Sequence, residues 1–74
     1  MFERVVGVLQ EFVEGDTEIT MDSALVDNLG LSSLQVIQIV TEFENEFDVE
    51  IPDRVIPTLR TVGDIVAYLE KNAE

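Results

Sequence analysis

Apolar residues recur at helical spacing in three separate segments of this chain, and nowhere does an alternation of period two run long enough for a strand. That restricts the fold to helices packed on helices. In the first segment Phe2, Val5, Val6, Leu9, Phe12 and Val13 stand at i, i+3, i+4, i+7, i+10 and i+11, one stripe that predicts a helix over residues 2–14. Gly15 follows where a left-handed cap commonly ends a helix. Gly7 inside the segment costs about 1 kcal/mol relative to alanine, so packing rather than propensity must hold it. In the second segment, residues 33–47, Val36, Val40, Phe43 and Phe47 fall within about 60° of one another at a helical step of about 100° per residue. The third, residues 62–72, places Val62, Ile65, Val66 and Leu69 at i, i+3, i+4 and i+7. It opens on Thr61-Val62-Gly63-Asp64, a Thr-x-x-Asp variant of the capping box.

The connections are unequal. Residues 16–31 have no helical period and contain Asp16, Thr17, Thr20, Asp22, Ser23, Asp27, Asn28 and Gly30. Loops of that length are usually functional or disordered. The scattered Ile19, Met21, Leu25, Val26 and Leu29 predict a loop pinned onto the core. Further on, Pro52 interrupts, and Asp53-Arg54-Val55-Ile56 fits at most one short helical turn, limited again by Pro57. The expected architecture is all-α: a small four-helix bundle, three main helices plus one short one, with a long first connection, in a single domain over residues 1–74.

Composition narrows the chemistry. With 74 residues the chain buries only roughly 60% of its unfolded surface, so its stability is modest. It contains neither cysteine nor histidine, which removes disulfides, the commonest zinc ligands, a thiol nucleophile and the commonest general base. Catalysis by the chain itself is not expected. Sixteen acidic residues against four basic ones give a net charge of −12. That charge repels nucleic acid and anionic membrane surfaces and favours basic patches on proteins. A hydrophobic fraction of 46% with regular periodicity argues against disorder. No apolar run has the length of a membrane span, and Glu3, Arg4 and Glu11 exclude a signal peptide, so a cytoplasmic location is expected. Glu42, Glu44, Glu46 and Asp48 crowd the C-terminal half of the second segment, against the helix dipole. The acidic run lacks the order and the glycine of an EF-hand, and at best Glu46, Asp48, Glu50 and Asp53 bind divalent ions loosely.

One stretch carries chemistry: Leu29-Gly30-Leu31-Ser32-Ser33-Leu34-Gln35. Ser32 with Gln35 fits a Ser-x-x-Gln capping box, worth roughly 1 kcal/mol. That uses only one of the two serines. Ser33 is then the first helical residue, with its hydroxyl near the free N–H groups of a helix start, a place that tolerates an attached phosphate. Nothing nearby supplies the base that a nucleophilic serine needs. The position suits a substrate of another enzyme better than a catalyst.

These residues resemble the attachment site of acyl carrier proteins, in which a serine in an LG-x-D-S-L context carries 4′-phosphopantetheine. The resemblance runs through Ile19-Thr20, Leu25, Leu29-Gly30, Ser33-Leu34, Glu44, Phe47-Asp48, Glu50-Ile51-Pro52-Asp53, Thr61-Val62 and Tyr68. It implies that Ser33 receives the arm from a phosphopantetheinyl transferase, which supplies the base, the magnesium ion and the coenzyme A donor. The arm's thiol would then carry acyl groups as thioesters, for fatty-acid synthesis or for specialised acyl or polyketide synthesis. It further implies that the second helix docks onto basic patches of acyltransferases and synthases. Leu34, Ile37 and Thr41, at i, i+3 and i+7, are the candidate apolar strip, with Glu42, Glu44 and Glu46 as the charged surround. The carrier is expected to be a monomer.

Three positions depart from the family pattern. Ser32 stands where an acidic residue usually precedes the modified serine, Gln35 and Gln38 occupy two often acidic positions of the recognition helix, and Pro57 falls in the short third helix. These departures put the usual fatty-acid partners in doubt. Two other readings stay open: a carrier of aminoacyl or peptidyl groups, and a small acidic interaction module with an unmodified Ser33.

Overall fold

The longest helix starts where the serine pair predicts. In a computed structural model that describes residues 1–13, 15 and 17–72, helix α2 spans Ser33–Phe47. Ser32 is extended, its Oγ accepts the Gln35 N–H at 3.2 Å, and Gln35 Oε1 accepts the Ser32 N–H at 2.9 Å. The capping box is complete. The last helix, α3, spans Val62–Asn72 and begins the same way. Thr61 Oγ1 accepts the Asp64 N–H at 3.2 Å, and Asp64 Oδ2 accepts the Thr61 N–H at 3.1 Å. Val62, Ile65, Val66 and Leu69 are all buried, as the stripe requires.

The first helix is shorter than its stripe. Helix α1 spans Phe2–Leu9, after which the Glu11 and Phe12 N–H groups reach back only three residues, to the Val8 and Leu9 carbonyls at 3.1 and 2.9 Å. Gly7 weakens this helix, and beyond Leu9 it tightens before the Val13 N–H returns to the Leu9 carbonyl at 3.0 Å. Phe12 and Val13 still pack against the core. Gly15 does take a left-handed φ of 69°, but beyond the tightened turns rather than at the helix cap. Glu14 and Asp16, part of the expected helix and loop, lie outside the described residues.

α1 packs on both α2 and α3. The buried face of α2 is wider than the sequence stripe: Ile39, about 60° to one side of Val36 on the helical wheel, is buried, while Val36 is only half-buried. Val8 is likewise buried though it lies off the α1 stripe. Both follow from core contributed by the connections, since Leu25, Leu29, Leu31, Ile51 and Leu59 are also buried.

The long connection is indeed pinned, and by its backbone. The Leu25 N–H donates to the Arg60 carbonyl at 2.9 Å, the Val62 N–H to Ser23 at 3.0 Å and the Gly63 N–H to Met21 at 2.8 Å. Ala24 and Thr61 form an isolated antiparallel bridge there, too short to be a strand. A Cβ at Gly63 would stand 3.0 Å from the Met21 carbonyl oxygen, so any larger residue there would press the clasp open by a few tenths of an ångström. Buried Ser23 is satisfied by the Thr20 N–H at 2.9 Å. Gly30, with φ 69°, turns the chain so that Leu31 enters the core. Met21 and Val26, expected among the pinning residues, are instead exposed.

The short element also moves. It is a 3-10 turn over Ile56–Thr58, with Pro57 inside it rather than ending it. Proline at the start of a helix costs nothing, because its missing N–H would have no partner there. At the other end of α2, Asp48 adopts the left-handed conformation, with φ 51° and ψ 52°. Glu44 turns inward, and its Oε2 accepts the Ile51 N–H at 2.9 Å. Arg4 from α1 lies 4.4 Å over the Phe47 ring and 3.4 Å from the Glu46 carboxylate.

The Glu44 contact gives a stability prediction. Glu44→Ala strands the N–H of buried Ile51 and should cost about 1–3 kcal/mol, whereas Glu44→Gln keeps an acceptor and should cost clearly less. Urea unfolding followed by circular dichroism measures both.

Candidate functional site

Ser33 is the first residue of α2 and is exposed. The capping box consumes the Ser32 hydroxyl and leaves that of Ser33 outside it, without a hydrogen-bond partner among the described residues. Its backbone is held by the same box, since the Val36 N–H also donates to the Ser32 carbonyl at 3.0 Å. The result is a solvent-facing hydroxyl on a held backbone, with no base hydrogen-bonded to it among the described residues.

Ser33 lines a groove of about 360 Å³. Its apolar lining comes from Leu25 of the pinned connection, Val36 and Ile37 of α2, and Ile56 and Leu59 around the 3-10 turn. Asp27 and Arg60 line it as well. Of these, Asp27, Ile56 and Arg60 were invisible to sequence reasoning. They share no period or motif with Ser33, and only the backbone clasp brings residues 24–27 and 56–60 beside α2.

The candidate docking residues divide. Leu34 is 65% exposed and Ile37 51%, and Gln38, Thr41 and Glu42 are exposed beside them. The apolar strip is on the surface. Gln35 is half-buried and occupied by the capping box, and Glu44 is half-buried and occupied by the Ile51 N–H, so neither offers a free side chain. Both belong to the expected docking surface, although the Ser-x-x-Gln spacing already pairs Gln35 with the cap. Gln35 reaches back to the Ser32 N–H, and Glu44 reaches forward to the Ile51 N–H beyond the helix, a contact that a helix wheel does not show. Glu46 is exposed and paired with Arg4.

The loose divalent site expected at Glu46, Asp48, Glu50 and Asp53 is not assembled. Among the described residues no three carboxylates gather into a group that could hold a metal ion. Asp48 caps α2 in a left-handed conformation, and the chain beyond it is drawn away to Glu44 and to the Tyr68 hydroxyl, which donates to the Glu50 carbonyl at 3.0 Å. Among the described residues no helix is long and apolar enough to cross a membrane.

Comparison with known proteins bears on this serine and its surroundings. The family model for the phosphopantetheine attachment site matches residues 3–69. The chain is 36% identical over 75 residues to an acyl carrier protein of Clostridium acetobutylicum, covering 100% of this chain and 97% of that protein. It is 39% identical over 74 residues to an acyl carrier protein of Rhodococcus erythropolis, covering 93% and 81%. A solved structure of a candidate acyl carrier protein from Mycobacterium tuberculosis superposes with a TM-score of 0.88 at 36% identity, covering 95% of each chain.

The unpaired acidity of this surface has a measurable consequence. The Arg4–Glu46 pair is the one salt bridge among the described residues, against a net charge of −12. Self-repulsion should therefore depress stability at low ionic strength. Sodium chloride should raise the Tm, and so should Glu42→Gln, with the gain from the substitution shrinking as salt is added. Thermal melts of both proteins at two salt concentrations test this.

Proposed function

Because this chain belongs to the acyl carrier proteins, whose domain is the phosphopantetheine attachment site, we propose that Ser33 is where its 4′-phosphopantetheine is attached. The observation that carries the assignment is the division of labour between the two serines. Ser32 is spent on the cap, and Ser33 presents an exposed hydroxyl on a rigid helix start.

The residues present fit the group. The chain contains no cysteine, so the thiol of a thioester carrier must come from the attached arm. When bound, 4′-phosphopantetheine supplies that thiol, on which acyl groups ride as thioesters. The chain's own part is that of an acceptor. Ser33 Oγ attacks the coenzyme A diphosphate and gives its proton to a base of the transferase. The serine–phosphorus bond forms, the diphosphate bond breaks and adenosine bisphosphate leaves. The positive end of α2 then favours the new phosphodiester charge by about 0.3–1 kcal/mol. The chain acts as a carrier and not as an enzyme.

Partners follow from the surface beside Ser33. Leu34 and Ile37 form an apolar contact strip, with Gln38, Thr41 and Glu42 around it. This suits a phosphopantetheinyl transferase, and acyltransferases or synthases, that present an apolar pocket with basic residues on one side. The first turn of α2 has no acidic residue, so steering of a basic partner starts only at Glu42. That distribution favours a carrier serving a specialised acyl or polyketide pathway over generic fatty-acid elongation.

Two experiments test these assignments. Ser33→Ala should abolish the mass increase on treatment with a broad-specificity transferase and coenzyme A, while Ser32→Ala should retain it at a stability loss of about 1 kcal/mol. Modification that survives in Ser33→Ala overturns the assignment. For the pathway, Gln35→Glu with Gln38→Glu preserves the reach of the capping box and adds two charges. The double variant should be elongated faster than the wild type by a generic fatty-acid enzyme, mainly at low ionic strength. A wild type that already works at the rate of the double variant removes the case for a specialised pathway.

A further inference from the structure

Arg60 is the cation of the groove that begins at Ser33. Of the four basic residues, Arg4 is committed to Glu46 and Phe47 at the far end of α2, and neither Arg54 nor Lys71 lines the groove. Arg60 does. Its backbone is held on both sides: its N–H donates to Asp64 Oδ2 at 3.1 Å, and its carbonyl accepts the Leu25 N–H at 2.9 Å. The side chain therefore projects from a fixed point, with no ion-pair partner among the described residues. Asp27 lines the same groove but does not approach Arg60 within ion-pair distance. An unpaired guanidinium on so acidic a chain is drawn to any anion placed nearby, and its planar fork matches two oxygens of a phosphate.

We infer that Arg60 is a positioning residue for the attached arm: it pairs with the phosphodiester on Ser33 and turns the arm across the apolar groove instead of into solvent. This rests on the assignment of the arm to Ser33. Asp27 lines the same groove outside ion-pair distance of Arg60 and repels the phosphodiester, so the hold on the arm is weak enough to be released to a partner enzyme. The lining from Leu25, Ile56 and Leu59 gives the turned arm an apolar surface to lie on. The salt dependence of an exposed ion pair makes the turned state most populated at low ionic strength.

The test uses the intact chain without the arm, with the bare arm, and with the arm carrying a carboxylate-bearing acyl group, each state verified by mass. Attachment should shift the Arg60 Nε–H signal, the backbone amides of Leu25, Ile56 and Leu59, and the phosphorus resonance, each measured by NMR. In Arg60→Gln the amide shifts induced by attachment should vanish and the phosphorus resonance should move towards that of free coenzyme-derived phosphodiester. Arg60→Lys should retain part of them, Asp27→Asn should enlarge them, and added salt should diminish them in the wild type. Attachment shifts confined to the neighbours of Ser33, or unchanged in Arg60→Gln, overturn this inference while leaving the Ser33 assignment intact. Shifts that appear only once a carboxylate-bearing acyl group is loaded also overturn it, because the ligand of Arg60 is then the cargo. No mass gain at all overturns the Ser33 assignment, and this inference with it.

Discussion

Three backbone hydrogen bonds hold this molecule in its working shape, those joining Leu25 to Arg60, Ser23 to Val62 and Met21 to Gly63. They fasten the long first connection to the start of α3, and almost everything near Ser33 depends on that fastening. Without it, Leu25, Leu29 and Leu31 would have no fixed place in the core, and residues 24–27 would not wall a groove. A connection of this length would otherwise be free to wander, and the entropy of ordering it is offset by the leucines it buries. The close fit at Gly63 belongs to the same clasp, because a Cβ there would press on the Met21 carbonyl.

The acidity of the chain has more than one use. Glu44 and Asp64 are local structural acceptors: Glu44 takes the N–H of Ile51, and Asp64 takes those of Arg60 and Thr61. Glu46 belongs to the contact between α1 and α2 through Arg4, which also stacks over Phe47. Glu42 and the exposed remainder contribute to the field felt by partners. The carboxylates crowded at the end of α2 oppose its dipole, yet Glu44 compensates by capping the backbone that follows. A surface that repels itself is tolerated because the core is continuous through helices and connections alike.

The serine pair shows how a helix cap can spend one hydroxyl and leave its neighbour exposed, the one proposed as the attachment point. A capped helix start presents its first residue in one orientation, at the positive end of the dipole, with its own side chain free. The same cap occupies the Gln35 side chain, so the exposed apolar pair Leu34 and Ile37 dominates the surface beside Ser33.

Much of this was legible in the sequence because it is local. The limits of α2 and α3, both capping boxes and the α3 core face follow from spacing and from side chains that reach three residues along the chain. The family resemblance, too, was carried by short motifs read directly from the residues. What escaped was everything that depends on residues distant in sequence. The burial of Ile39 and Val8, the early tightening after Leu9, the placement of Pro57 within the 3-10 turn and the inward role of Glu44 needed neighbours or backbone geometry that periodicity does not encode. The groove beside Ser33 is the clearest case. Its walls come from residues 24–27, 33–37 and 56–60, brought together by backbone hydrogen bonds that carry no signature in side-chain type. Periodicity and caps determined the helices and the exposed serine; tertiary pairing alone decided what stands next to that serine, because a backbone clasp is specified by shape and not by composition.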